Sequence, residues 1–204
     1  MIQLYWSPRS RSFSAIWLLE ETGLPYERVL TDISTGAQKA PEYLAINPMG
    51  KVPAILHDGV LVTEQPAIFI YLADRYPQAG LAPSLDDPLR GPYLRWLAFY
   101  GSSFEPAIID RALERAPAPP SLCPYGDYDT MLATFTAPLR AGPWLLGERF
   151  SAADILWASA LGWMTGFGLV QKLPEIMAYV ERLRARPAAQ KAAAADAALA
   201  AAQA

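Results

Sequence analysis

Asn47-Pro48-Met49-Gly50-Lys51-Val52-Pro53, followed by Leu61-Val62-Thr63-Glu64-Gln65-Pro66-Ala67-Ile68 and then Tyr71-Leu72, is the stretch from which the rest of this 204-residue chain can be read. An X-Pro bond just ahead of a strand is a natural place for a cis peptide, since proline lowers the trans preference to about 0.5–1 kcal/mol. A cis bond at Val52-Pro53 turns the Val52 N–H and C=O outward, where an extended peptide can pair with them as an added strand does. Lys51 beside them offers a point charge for a carboxylate. In the second half, a strand ends at Thr63 and a helix starts at once. Free N–H groups at a helix start attract carboxylates, and Glu64 is placed to hold an ammonium group. Each half also has a plain structural reading. The first is a proline turn opening a strand; the second is an acidic residue favoured by the dipole of the first helical turn.

Outward from that stretch, the elements fall into order. Residues 2–6 form a short apolar run ended by Ser7-Pro8 and read as a strand. Residues 13–21 place Phe13, Ile16 and Trp17 on one helical face, and Gly23 and Pro25 stop that helix. Residues 26–30 form a second strand, completing a βαβ unit. A polar connection with a short helical piece at 41–45 leads to strands at 52–56 and 60–63. His57-Asp58-Gly59 between them signals a tight hairpin that leaves His57 exposed. Residues 64–76 are helical again, with Pro66 allowed in the first turn. The order βαβ, connection, ββα is that of a thioredoxin-like domain over residues 1–77. Residues 78–88 read as a linker. Residues 89–204 contain no convincing strand and read as an all-α C-terminal domain. Its helices fall at 89–113 with a kink at Pro106, at 128–139, 152–163 and 174–184, and in an alanine-rich terminal segment from 188. A proline-rich loop spans 116–124. The fold class is therefore an α/β thioredoxin-like N-terminal domain plus an all-α helical domain.

Composition narrows the function. Hydrophobic residues make up 52% of the chain and charged residues 18%, enough to bury a sizeable core. The net charge is −3 with no basic run, which argues against a nucleic-acid partner. One cysteine, Cys123, excludes an internal disulfide and a multi-cysteine metal cage, and one histidine, His57, excludes His-rich zinc sites, so no metal is expected. The chain opens without a charged segment followed by an apolar run. Its longest uncharged stretch, residues 155–171, holds three glycines and falls short of a membrane span. A cytoplasmic protein without a membrane partner is expected.

Asn-Pro-x-Gly-Lys-Val-Pro, followed eleven residues later by Glu-x-x-Ala-Ile-x-x-Tyr-Leu, resembles the glutathione transferase superfamily. So do Leu4-Tyr5-Trp6-Ser7-Pro8-Arg9-Ser10-Arg11-Ser12, the segment Leu19-Glu20-Glu21-Thr22-Gly23-Leu24-Pro25-Tyr26, and Phe150-Ser151-Ala152-Ala153-Asp154-Ile155. The resemblance spans nearly the whole chain, with its motifs in order. It implies glutathione as co-substrate, with Val52 pairing its backbone to the cysteinyl part, Pro53 as the cis proline, Lys51 on the glycyl carboxylate and Glu64 on the γ-glutamyl amine. The next position, usually a serine that takes the γ-glutamyl carboxylate, is Gln65 here. Its N–H and side-chain amide remain donors.

Members of that family lower the thiol pKa with a hydroxyl or cysteine near the end of the first strand. Ser7 is the leading candidate, Ser10 and Ser12 are further ones, and Tyr5 lies near the tyrosine position of other classes. Ser7 also suits a helix N-cap with proline at N1, and Tyr5 suits the core. Arg11 lies where some bacterial members carry cysteine, and Ser7 where thiol-transfer members do, which points to a serine- or tyrosine-type bacterial member and away from glutaredoxin-like disulfide chemistry. Arg9 and Arg11 either raise the local positive potential or are solvated loop charges. Ser151-x-x-Asp154 is a capping-box variant with a structural role, and Phe150 is placed for a hydrophobic staple. Tyr93, Trp96, Tyr100 and Phe104 recur on one face of the long helix; with Trp163 and Phe167 they offer an aromatic wall for a hydrophobic electrophile, or else bundle core. The implied function is conjugation of the glutathione thiolate to a small hydrophobic electrophile by a homodimeric detoxification enzyme. The alternatives are a non-catalytic glutathione-binding or regulatory protein on the same scaffold, or a glutathione-dependent isomerase or dehalogenase.

Overall fold

The computed structural model describes residues 1–116 and 118–202; Pro117 of the proline-rich loop, and Gln203 and Ala204 after the terminal helix, lie outside the described residues. The chain forms two compact units, one of Met1–Ala79 with Ala185–Ala204, the other of Gly80–Arg184.

The first unit is built on a four-stranded sheet in the order β2-β1-β3-β4, with β1 Ile2–Trp6, β2 Tyr26–Leu30, β3 Ala54–His57 and β4 Val60–Val62. Strand β1 runs parallel to β2 and antiparallel to β3, and β3 runs antiparallel to β4. Along β1 the residues Ile2, Leu4 and Trp6 are buried while Gln3 and Tyr5 are half-buried, the period of two that a strand imposes. The helix α1 Ser12–Thr22 follows β1; Gly23 gives its N–H to Leu19 C=O at 3.1 Å, and its φ of 67° then turns the chain out of the helix. A short helix α2 Pro41–Leu44 precedes β3, and α3 Gln65–Arg75 follows β4. α1 packs against β1 and α3.

His57 and the terminal helix stand elsewhere than the sequence suggests. His57 is buried, because β3 continues through it and its ring meets α3 and the residue beyond. Nδ1 lies 3.0 Å from the Tyr71 hydroxyl and Nε2 2.9 Å from that of Tyr76. The alanine-rich terminal helix, α9 Pro187–Ala202, belongs with the first unit and not with the helical one. It packs along α1. Arg186 places Nε 2.6 Å and one terminal nitrogen 2.8 Å from the two Glu21 oxygens, and Lys191 pairs with Glu20 at 2.5 Å. With α9 on its outer side, α1 is buried almost all round, from Ser14 to Leu19.

The second unit is helical: α4 Arg90–Phe99, α5 Glu105–Ala112, α6 Tyr128–Ala141, α7 Ala152–Gly166 and α8 Pro174–Arg184. The single helix expected over 89–113 is divided by a π turn, Tyr100–Phe104, in which the Glu105 N–H reaches back to Tyr100 C=O. Pro106 then sits in the first turn of α5, directly after the wider turn. Trp157 of α7 centres the core. It stacks on Phe135 at 4.2 Å, meets Phe104 at 4.8 Å, and donates its indole N–H to Trp96 C=O at 3.0 Å. The capping box is present. Asp154 is fully buried, and accepts from the Ser151 N–H at 2.8 Å, the Leu145 N–H at 2.9 Å and the Tyr179 hydroxyl at 2.8 Å. Burial pushes its pKa up, against those donors. No helix among the described residues is long and apolar enough to cross a membrane.

Candidate active site

Three segments of the first unit meet around the end of β1. The register places Tyr5 opposite Ala54, so residues 52–53 lie across from the turn that follows β1. The start of α3 is tied to the start of α1 by Gln65, whose amide nitrogen lies 2.7 Å from Ser14 Oγ and 3.3 Å from Arg11 C=O.

In the first segment, Val52–Pro53 is cis. Ahead of it, Lys51 C=O is turned into the protein. It accepts from the Tyr43 hydroxyl at 2.5 Å and from the Asn47 side-chain amide at 2.8 Å. The Lys51–Val52 peptide is trans, so its N–H points opposite to that carbonyl, away from Tyr43 and Asn47. Asn47 also shapes the loop, accepting the Met49 N–H at 3.2 Å on its side chain and the Gly50 N–H at 2.8 Å on its carbonyl. Gly50 has φ +61°, and a Cβ there would stand 2.7 Å from Gln38 C=O; only glycine allows the loop to lie this close to the 37–39 turn. The Lys51 side chain is exposed, and Lys39 lies nearby with Nζ 3.4 Å from Met49 C=O. Burial raises the Tyr43 hydroxyl pKa to about 12, so it stays a donor.

In the second segment, Glu64 has φ 64° and ψ 122° immediately before α3. A non-glycine residue at positive φ costs about 1–3 kcal/mol and persists where its surroundings demand it. The first bond of the helix runs from Ile68 N–H to Glu64 C=O at 2.9 Å. The N-terminal end of α3 thus faces outward beside an exposed carboxylate.

In the third segment, Ser7, Ser10 and Ser12 bond one another. The Ser10 hydroxyl lies 2.6 Å from Ser7 C=O and 2.9 Å from Ser12 Oγ, and accepts the Ser12 N–H at 3.1 Å. Ser7 Oγ accepts the Ile33 N–H at 3.3 Å. Ser7 is 1% exposed, Ser12 0% and Ser10 7%. Tyr5 is apart from this cluster, its ring packed on Tyr43 at 5.9 Å.

A site that offers an outward backbone edge, a cationic side, a carboxylate and a helix start suits a short acidic peptide. The profile of the glutathione S-transferase N-terminal domain matches residues 2–74, and that of the glutathione S-transferase C-terminal domain matches residues 127–187. The chain belongs to the glutathione S-transferase superfamily. Among its relatives, disulfide-bond oxidoreductase YfcG of Escherichia coli (strain K12) is 30% identical over 202 residues, covering 92% of each chain. A glutathione transferase from Methylococcus capsulatus str. Bath has 34% identity and a TM-score of 0.81, covering 97% of this chain and 99% of that one. A sphingomonad glutathione S-transferase complexed with glutathione has 32% identity and a TM-score of 0.79, covering 96% and 98%.

For a glutathione S-transferase fold, several residues stand elsewhere than the sequence suggests. Tyr100 and Phe104 do not fit a pocket wall. They are 3% and 0% exposed, packed on Trp157 within the helical unit, and Tyr100 gives its hydroxyl to Glu105 at 2.8 Å. The same apolar periodicity serves core and wall alike, and here the core takes both rings. Trp163 is half-buried beside the exposed Phe167, with ring centroids 6.3 Å apart. Tyr43 and Ser14 also belong to the site. A tyrosine on a short polar helix four residues before the Asn-Pro motif was the signal for the first; a serine inside an apolar helix start was the signal for the second.

Proposed function

We propose that this protein is a glutathione transferase whose first unit holds glutathione and whose bound thiolate attacks a small hydrophobic electrophile. The inward-held Lys51 carbonyl carries this reading, because it leaves the Val52 backbone to pair with the cysteinyl residue of the peptide. Lys51, with Lys39 close by, takes the glycyl carboxylate; Glu64 takes the γ-glutamyl amine; and the start of α3 at Gln65 takes the γ-glutamyl carboxylate. The relative solved with glutathione supports the ligand. Ser10 is the thiol's hydrogen-bond donor. It is the most accessible of the three serines, and the Ser12 N–H already bonded to its oxygen makes the hydroxyl a stronger donor. The thiol proton leaves to solvent and the sulfur pair forms the new bond to carbon; in a substitution a leaving group departs with its own pair, and in addition to an enone the displaced π pair takes up a proton from solvent. Holding the two reactants together supplies much of the rate.

The working form is a homodimer in the cytoplasm. Supporting this, α3 and β4 present an apolar depression of about 640 Å³ lined by Val62, Ala67, Ile70, Tyr71, Asp74 and Arg75, a face suited to a second copy. A second reading rests on the relative named as a disulfide-bond oxidoreductase: the same thiolate attacks a disulfide sulfur and expels the other sulfur as a thiolate. Retention on immobilised glutathione, followed by turnover of a panel of aryl halides, epoxides, enones and a small disulfide, tests these readings. Retention with conjugate formation is expected. Turnover of the disulfide alone selects the second reading, retention without any turnover selects a binding protein, and no retention of the folded protein rejects the ligand.

A further inference from the structure

Gln65 occupies the first turn of α3 and is nearly buried, and its side chain points back to α1. Its nitrogen stands 2.7 Å from Ser14 Oγ and 3.3 Å from Arg11 C=O. A carbonyl oxygen only accepts, so the amide group facing it is the NH2. Ser14 has one proton, which it gives to the same Arg11 carbonyl at 3.0 Å, so it accepts from Gln65. The direction of these three bonds is thereby fixed.

Arg11 C=O belongs to the same peptide unit as the Ser12 N–H, and that N–H donates to Ser10 Oγ at 3.1 Å. One planar amide therefore connects Gln65 and Ser14 on its carbonyl side to Ser10 on its N–H side. Donation into the carbonyl orients the plane and strengthens its N–H as a donor. We infer that Gln65 is a positioning residue that sets the Ser10 hydroxyl through the Arg11–Ser12 peptide, and so couples the γ-glutamyl end of the site to the thiol end. This inference rests on the glutathione reading above and deepens it. The side chain is spent on α1, so the γ-glutamyl carboxylate meets main-chain donors at the start of α3.

The test is titration of the bound glutathione thiol, by the ultraviolet absorbance of its thiolate, in the full chain and in Gln65→Met, Gln65→Ser and Ser14→Ala. Methionine keeps the length of the side chain and removes its donors. The thiol pKa is expected to rise by about half a unit to one unit in Gln65→Met, a threefold to tenfold loss of thiolate at a fixed pH below it. Ser14→Ala moves it the same way by a smaller amount, although Ser14 touches no part of the ligand. Gln65→Ser raises the thiol pKa while tightening glutathione binding, because a short hydroxyl faces the carboxylate; a merely structural role gives no such opposed pair of changes. If the unaltered protein binds glutathione with a lowered thiol pKa, and Gln65→Met and Ser14→Ala both leave that value within about 0.2 unit, the coupling is wrong and the glutathione reading stands. Should Gln65→Met fail to fold, Ser14→Ala alone decides. Failure of the unaltered protein to bind glutathione overturns both.

Discussion

Replacing Ser10 with alanine removes the hydroxyl proposed to face the glutathione sulfur, and its effect can be worked from the bonds present. A hydrogen bond to a charged acceptor contributes about 1.5–3 kcal/mol. The hydroxyl is now 2.6 Å from Ser7 C=O, and turning to the sulfur gives up that neutral bond, about 1 kcal/mol. The net is about 0.5–2 kcal/mol in favour of the thiolate, or about 0.4–1.5 pKa units at 1.36 kcal/mol per unit. From a free-thiol value near 8.5, the Ser10 bond alone brings bound glutathione to about 7–8. In Ser10→Ala the thiol pKa rises by about one unit, and kcat/KM falls about tenfold at a pH below both values. The two enzymes converge at high pH, where the thiol is ionised in either. The assay is the pH profile of kcat/KM together with direct titration of the bound thiolate. Ser7→Ala is the control: its oxygen holds the Ile33 N–H at 3.3 Å, so it is expected to lose about 1 kcal/mol of stability and keep the thiol pKa. The opposite pattern, with the thiol moved by Ser7→Ala and untouched by Ser10→Ala, refutes the assignment and returns the role to Ser7.

Three further outcomes are expected. Glu64→Gly relieves a residue held at φ 64°, so the melting temperature rises while glutathione binding falls at least tenfold; a lower melting temperature contradicts the view that Glu64 is kept there for the ligand. Tyr43→Phe leaves Lys51 C=O with the Asn47 amide alone, weakening glutathione binding by about 1 kcal/mol, roughly fivefold, as read by calorimetry. Asp87 is held below the usual carboxylate range by the Leu89 N–H and by Arg149. A depressed folded value means that its contribution is present above the ordinary pKa near 3.9 and is lost as pH falls through the folded one. Acid unfolding of Asp87→Asn is therefore less steep below pH ~4 than that of the unaltered chain, and equal slopes would remove Asp87 from the account.

The fold was legible where local chemistry and global topology agree. The strands at Ile2–Trp6 and Tyr26–Leu30 stand where the apolar runs bounded by Pro8 and Pro25 place them, and the capping box at Ser151 and Asp154 forms as its spacing requires. Glu64 ahead of α3 and the cis proline at 53 were legible because proline chemistry and helix starts leave marks in sequence. What stayed hidden depends on partners brought from afar. The burial of His57 follows from Tyr71 and Tyr76, which no hairpin signal announces. The placement of α9 beside α1 buries Ala189 and Ala192 and pairs Arg186 and Lys191 with Glu21 and Glu20, while an alanine run does not mark in sequence which of its faces turns inward. Tyr100 and Phe104 could not be separated from a pocket wall, since the π turn that seats them around Trp157 is set by tertiary packing and not by periodicity.

Two peptide planes organise the site in the same way. At Lys51–Val52 the carbonyl is drawn inward by Tyr43 and Asn47; at Arg11–Ser12 it is drawn inward by Gln65 and Ser14. In each, the side chains grip the oxygen and leave the opposite N–H to be presented, to the backbone of the proposed ligand in one case and to Ser10 Oγ at 3.1 Å in the other. Main-chain donors are the same for every residue type, so the sequence that matters is the sequence behind the plane. On the reading proposed above, a glutamine at position 65 therefore leaves the helix start in place for the carboxylate, and its two amide protons, directed to Ser14 Oγ and Arg11 C=O, fix the peptide on which the proposed thiol donor, Ser10, depends.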